Sequence, residues 1–436
     1  MACSRGAERA SLLIQNVTHL LRERRFLPLF VTQALGAFND SLFKQAVVLF
    51  VTYQLYSDAA KEAQFSAIAQ GLFILPFFLL SAAAGQLADI RDKAHIIRIV
   101  KAAEIGIMLV GGTGLALANI PLMLTAVFAM GVHSTFFGPI KYAILPQHLG
   151  KDEVLGGTGL VEAGTYLSIL GGTIAAGALA ASPKFAAMAC VIIAGVGFLA
   201  GRQVPPAPPA SHAAPPDWHI LRASVKLVSE TMHVRSLFLA ICAISFFWTI
   251  GSVLIIIFPP LVKNVLGANE QVASLFIGMF SIGIAIGSVL INRLLKNKVS
   301  ARFAPGSVLA MGVSVLALYF VAENWGEHNG SLITLGNFLY QPSAALLIAT
   351  LLAISIFGGM FVVPLYAFLT TTVDKSQTAR TVAANNIVNS GAMVVGSAIA
   401  LALASFGFGP DTILLLVAAM CLVSAWLGWK LHLACD

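Results

Sequence analysis

The chain has 436 residues, 58% of them hydrophobic and only 10% charged, with a mean hydropathy of +0.87. That composition excludes an ordinary soluble domain and points to an all-α polytopic membrane protein, because helices satisfy their own backbone hydrogen bonds in lipid; the short alternating segments of a membrane β-barrel are absent. The net charge of +7 is spread over many short loops, where it sets topology and anchors headgroups, so no nucleic-acid partner is expected. Cys3, Cys190, Cys242, Cys421 and Cys435 form no C-x-x-C pair, and neither a metal nor a disulfide framework nor a cofactor is expected.

Residues 1–25 are basic and amphipathic, without the apolar core and cleavage site of a signal peptide. Leu12, Leu13, Val17, Leu20 and Leu21 share one helical face ahead of Arg22, Arg24 and Arg25, which fits an interfacial helix or a frayed tail. About twelve spans follow, near 26–54, 65–88, 95–116, 120–147, 153–181, 185–202, 236–265, 270–292, 302–322, 343–371, 380–405 and 410–433, each close to the ~20 residues that cross a bilayer. Basic residues concentrate in alternate loops. One side holds Arg91, Lys93, Arg98 and Lys101, then Lys151, Arg202, Arg222, Arg293 and Arg302; the other holds Lys61, Lys184 and Lys263. The positive-inside rule then puts both termini in the cytoplasm. Val204–Ala210, with Pro205, Pro206, Pro208 and Pro209, reads as a solvated polyproline linker. It divides the chain into an N-terminal six-helix half (26–202) and a C-terminal one (236–436). Trp218–Arg235 is amphipathic and predicts a helix lying on the membrane.

Within span 1, Gln33–Lys44 puts Asn39, Asp40 and Lys44 into a run otherwise fit to cross lipid. A charge there costs roughly 2.5–3.5 kcal/mol on insertion scales. Asp40 and Lys44 are one turn apart, which allows a self-neutralising pair or a site for a headgroup or ion. Lys141 in span 4 and Glu162 in span 5 lie at similar depth and can pair or meet substrate. His133 suits either packing or proton carriage. Asn385, Asn386 and Asn389 in span 11 share roughly one face and can bond another helix or a polar headgroup. Glycines 156, 157, 159, 164, 171, 172 and 177 predict tight packing of span 5.

The halves echo each other. Gly138–Leu145 in span 4 is matched by Val363–Leu369 in span 10, and Gly159–Gly164 in span 5 by Asn386–Gly391 in span 11. Gly85-Gln86-Leu87-Ala88-Asp89-Ile90-Arg91-Asp92-Lys93 has a decayed counterpart at Gly287–Arg293. That stretch resembles the loop 2–3 signature of the major facilitator superfamily. The resemblance implies twelve helices in two six-helix halves with a site between them. It also implies a cytoplasmic gate in which Gly85 lets helices approach closely and Asp89, Arg91 and Lys93 supply the locking charges.

Four blocks narrow the resemblance: Gln33-x-Leu35-x-Ala37-Phe38-x-Asp40, Gly138–Leu145, Gly159–Ala163 and Gly358–Leu365 are similar to the bacterial lysophospholipid transporter (LplT) branch. The branch implies movement of lysophospholipids such as lysophosphatidylethanolamine and lysophosphatidylglycerol from the outer to the cytoplasmic leaflet of an inner membrane, for reacylation. An acyltransferase/acyl-carrier-protein synthetase partner is implied, and the chain is expected to act as a monomer among membrane lipids. Asp40, Lys141 and Glu162 match positions where the branch carries embedded charges; Lys44, Asn39 and the span 11 asparagines complete the expected binding set. The chain departs in span 7, where Trp248–Ile255 holds no basic residue and an arginine is expected. No enzyme activity is expected: G-x-x-x-x-G-K-[S/T] and H-x-x-x-x-D are both absent. A proton-coupled drug exporter lacks its span 4 arginine and span 5 Gly-Pro here, and a non-transporting scaffold for an acyltransferase is the further alternative.

Overall fold

The computed structural model describes residues 19–150, 153–209, 219–295, 300–326, 331–371 and 378–435. Long helices dominate. They are α1 Leu27–Phe50, α2 Ala59–Ile90, α3 Lys93–Ala116, α4 Ile120–Ala143, α5 Val154–Leu179, α6 Pro183–Gly201, α7 Ile220–Met232, α8 Arg235–Asn264, α9 Glu270–Leu294, α10 Ala304–Glu323, α11 Ala344–Thr371, α12 Thr378–Ser405 and α13 Pro410–Cys435. Among the described residues, 11 helices are long and apolar enough to cross a membrane. The fifth expected span is α5, helical over 26 residues, and α7 is the short amphipathic helix predicted after the linker. Of the N-terminal segment 1–25 only residues 19–25 are described, and they hold a 3-10 turn, His19–Arg22.

The chain forms two compact units. The first comprises Met1–Phe43, Ala83–Gly172 and Lys184–Trp218; the second comprises Lys44–Ala82, Thr173–Pro183 and His219–Asp436. Helices α1, α2 and α5 contribute to both.

In the first unit α3 packs along α4. Phe26, Leu29, Ile97, Ile140, Ile144 and Val161 close a core to which Val204 and Ala207 also belong. The start of the proline-rich segment is therefore not the solvated linker expected. Val204 and Ala207 are buried, Arg98 donates to the Val204 carbonyl at 3.2 Å, and the Lys93 amide donates to the Ala207 carbonyl at 3.0 Å. Proline carries no N–H, so the segment offers carbonyls to its neighbours while demanding few donors. Asp92 secures the junction: it caps α3 by accepting from the amides of Ala94 and His95 and takes the Ala207 amide at 3.3 Å.

In the second unit α9 packs on α11, α10 on α11 and α13, α8 on α12 and α13, and α7 on α12. Small residues permit the closest crossings. A Cβ at Gly287 would lie 2.0 Å from the Ile356 carbonyl oxygen, and one at Gly359 2.5 Å from that of Ile284. At Gly85, by contrast, a Cβ would meet nothing within 4 Å. Among the described residues the close approach expected at Gly85 is thus not seen, whereas Gly287, in the counterpart stretch, does pack closely.

Candidate functional site

The expected binding residues fall into two groups, each inside one unit. In the first unit Asp40 lies midway along α1. Its Oδ2 accepts from the Ser134 hydroxyl of α4, and its Oδ1 is buried without a hydrogen-bond partner. The side-chain oxygen of its neighbour Asn39 is likewise buried and unpartnered. Lys44, one turn on, goes elsewhere: its ammonium donates to Gln70 at 3.3 Å and lies 4.8 Å from the centre of the Phe73 ring. The intrahelical Asp40–Lys44 pair suggested by the spacing gives way to contacts with other helices.

Lys141 and Glu162 also take separate partners. Lys141 Nζ donates to Thr165 Oγ1 at 3.4 Å and sits over the Tyr142 ring at 4.8 Å. Glu162 accepts from the Tyr142 hydroxyl. Among the described residues no ion pair joins Lys141 to Glu162, so the phenol stands in for the ammonium as the carboxylate's donor.

Sequence reasoning missed the most deeply buried charges of this unit. Lys101 was grouped with loop cations; it is instead two turns into α3 with 0% exposure, as is Glu104, and the two form an ion pair. Gly197 of α6 leaves the room: a Cβ there would come within 3.0 Å of Lys101 Cε and Nζ. Glu104 further accepts from Asn39 Nδ2 at 2.8 Å and has His133 Nε2 at 3.2 Å. The signal is present in the sequence, since an acid inside an apolar span is expensive and Glu104 stands one turn from Lys101.

In the second unit Lys44, Gln45, Ser66 and Gln70 border a small cavity of about 10 Å³, room for about one water. Gln70 donates on to Ser252 at 3.4 Å, while Gln45 Nε2 and Ser66 Oγ are buried without partners. The three asparagines of α12 divide. Asn389 accepts from Ser245 at 2.7 Å and donates to the Tyr366 hydroxyl at 3.3 Å, to which Trp248 Nε1 also donates at 2.8 Å. Asn385 is fully buried with both amide atoms unpartnered. Asn386 is exposed, so the single shared face does not hold. Where span 7 lacks its expected arginine, Trp248 and Ser245 of α8 provide neutral donors to this network.

Of the expected gate, Arg91 is exposed and Lys93 buried, while the Asp89 side chain lies outside the described residues. Asp92, in the same stretch, caps its own helix α3. Among the described residues, no group of His, Cys, Asp and Glu is arranged to hold a metal.

Comparison with known proteins agrees with this architecture. The chain is 27% identical to the lysophospholipid transporter LplT of Serratia proteamaculans over 80% of both chains. It is 25% identical to that of Photorhabdus laumondii, over 81% of this chain and 82% of the relative. These relatives carry the name of the branch that the sequence blocks resemble. Among solved structures it superposes on the nucleoside transporter NupG with a TM-score of 0.69 at 11% identity, covering 94% of this chain and all of that one. A bacterial homologue of the lysosomal transporter Spinster gives 0.65 at 14% identity, over 94% and 98%; at such identities the likeness concerns the fold alone. The Major Facilitator Superfamily model matches residues 29–336 and 237–433, and the chain, a multi-pass membrane protein, belongs to that superfamily of transporters.

Proposed function

We propose that the protein moves lysophospholipids, among them lysophosphatidylethanolamine and lysophosphatidylglycerol, from the outer to the cytoplasmic leaflet of a bacterial inner membrane, with both termini in the cytoplasm. The reading is supported by relatives named as lysophospholipid transporters along most of the chain. It is carried by one feature of the first unit: a mid-helix carboxylate, Asp40, whose second oxygen is buried and without a donor. A lysophospholipid has one tail content in lipid and one headgroup that is not, so the barrier is passage of the headgroup through hydrocarbon. Asp40 Oδ1 and Asn39 Oδ1 are acceptors for the ammonium or hydroxyl hydrogens of a headgroup. Lys141 is the cation of the same unit suited to its phosphate. Alternating access would then deliver the lysolipid to the cytoplasmic leaflet, as an acyl acceptor for an acyltransferase/acyl-carrier-protein synthetase partner.

The test is translocation of labelled lysophosphatidylethanolamine in vesicles containing the purified chain. Asp40→Asn is expected to slow it by at least tenfold, since about 1.4 kcal/mol of lost headgroup interaction suffices for that factor. Lys141→Ala is expected to slow it as well. An unchanged rate in correctly folded Asp40→Asn protein removes Asp40 from the site. A wild-type chain that moves drugs but no lysolipid refutes the reading.

A further inference from the structure

We propose that the second unit binds a single small monovalent anion, chloride in the cell, beside the ammonium of Lys44. The site is built by α1, α2 and α8 and does not rest on the lysophospholipid reading. Lys44 and Gln45 of α1 with Ser66 and Gln70 of α2 form the polar wall of a cavity of about 10 Å³, and Ile255 and Ile256 of α8 close it. That is room for about one water or one ion of similar size. Ser66 and Gln70 stand at i and i+4, so both fall on one face of α2. Gln45 is 5% exposed and Ser66 2%, and neither Gln45 Nε2 nor Ser66 Oγ has a hydrogen-bond partner in the protein. Lys44 Nζ donates to Gln70 Oε1 at 3.3 Å, and Gln70 Nε2 donates on to Ser252 at 3.4 Å. Gln70 is thus engaged at both ends, and the amide of Gln45 and the hydroxyl of Ser66 are the groups that await a ligand.

Counting donors selects an anion. An amide nitrogen and an ammonium only donate, and a hydroxyl has one hydrogen to give. A cation placed here would face the charge of Lys44 and the hydrogens of Gln45. A water can accept from Gln45 Nε2 and donate one hydrogen to Ser66 Oγ. Its second hydrogen then meets either the isoleucine side chains or the Gln70 oxygen that already serves Lys44, and the hydrogen of Ser66 stays unused. A chloride accepts from Gln45 and Ser66 together and has no hydrogen of its own to place. It also sets a negative charge beside an ammonium drawn in from water, which lowers the cost of that burial. Glu62, one turn before Ser66 on α2, does not supply that charge, because its two oxygens are held by Lys263 and Asn264. The size of the cavity excludes phosphate and sulfate. Because its donors come from both α1 and α2, the bound anion links these two helices within the second unit.

Two measurements on the full-length purified chain test the site. In the first, sodium chloride replaces sodium gluconate at constant ionic strength while the melting temperature is followed in detergent. A ligand of the folded state raises that temperature, so it is expected to climb with chloride and then level off. Bromide should act in place of chloride, and sulfate should not. In Ser66→Ala the chloride concentration giving half the effect should increase by at least about tenfold, since a hydrogen bond to a charged acceptor is lost. Lys44→Met should abolish the effect. A melting temperature indifferent to chloride, an equal rise with sulfate, or an unchanged response in Ser66→Ala overturns the proposal. The second measurement needs no variant and decides the matter if either substitution fails to fold. Crystals of the wild-type chain grown in bromide are expected to show an anomalous peak within bonding distance of Gln45 Nε2 and Ser66 Oγ. A water at that place, without anomalous signal at saturating bromide, overturns it.

Discussion

Lys263 of α8 places its ammonium 2.5 Å from Glu62 Oε1 of α2, and this carboxylate has 0% exposure. The ammonium also donates to the carbonyls of Thr52, at 2.5 Å, and Tyr56, at 2.7 Å. The first carbonyl lies within, and the second just after, the π-helical turn Val51–Leu55 in which α1 ends; a helix terminus presents carbonyls that a cation caps well. Asn264 completes the carboxylate with a bond of 2.6 Å. One lysine thereby fixes the ends of α1 and α2 to α8 within the second unit. Removing one partner of such a pair leaves a buried charge uncompensated, at a cost of about 3–5 kcal/mol. Lys263→Ala is therefore expected to lower the melting temperature in detergent sharply. Glu62→Gln, which keeps the shape and removes the charge, should cost less. The double change Glu62→Gln with Lys263→Met should recover much of the loss of Lys263→Ala. Purely additive effects would show that the pair is not coupled.

Gly172 of α5 sits where α5 crosses α1: a Cβ there would lie 2.3 Å from the Phe38 carbonyl oxygen and 3.1 Å from the Leu42 amide nitrogen. Backbone cannot step aside as a side-chain tip can. Gly172→Ala is expected to destabilise by about 1–3 kcal/mol, as overpacking does. Gly85→Ala meets nothing within 4 Å and should be stabilising by about 0.5–1 kcal/mol through helix propensity. Thermal melts of the two variants check the contrast; equal destabilisation would restore the close approach at Gly85 that its motif suggested.

The helices and their bounds were legible because hydropathy reports span length directly: the span expected over 236–265 is Arg235–Asn264, and that over 410–433 is Pro410–Cys435. Gly157, Gly164, Gly171, Gly172 and Gly177 pack closely as their density implied. What the sequence hid was partner choice. The i, i+4 spacing of Asp40 and Lys44 and the equal depth of Lys141 and Glu162 describe positions. Whether a charge prefers its neighbour or a hydroxyl on another helix depends on side-chain direction, which depth does not supply. Lys101 escaped notice because a positive residue near a span end counts toward topology, although its side chain turns inward to Glu104. The prolines of 205–209 hid the buried Val204 before them and Ala207 between them in a similar way.

Arg25 and Glu153 tie the start of α1 to the loop before α5. The guanidinium makes two parallel bonds of 2.7 Å to the carboxylate, and the Gly150 amide adds a third at 2.8 Å. Arg25 above all, then the Gly150 amide, lowers the Glu153 carboxyl from the usual 4.5 to about 2. In the unfolded chain the carboxyl titrates near its usual value. A group depressed on folding stabilises above that value and loses its contribution as pH falls toward the folded one. The stability gap between wild type and Glu153→Gln should therefore be full above about pH 5, narrow steadily below pH 4.5, and close as pH nears 2. Melting curves across that range check it; a gap independent of pH would mean that Glu153 acts through shape alone.

Asn385 of α12 sets stability against function. Its amide is fully buried, and neither Nδ2 nor Oδ1 has a hydrogen-bond partner. Leaving an amide so placed costs about 1–3 kcal/mol, a cost that an apolar residue of similar size would remove. Asn385→Leu is thus expected to raise the melting temperature. If the amide is kept for a headgroup, the same variant should transport lysophosphatidylethanolamine more slowly, with the loss in affinity for the lysolipid exceeding any loss in maximal rate. Asn386→Leu, at an exposed position one residue away, should leave affinity near wild type. A stabilised Asn385→Leu protein that transports at the wild-type rate would take Asn385 out of the binding set and leave its buried amide a structural cost without a use.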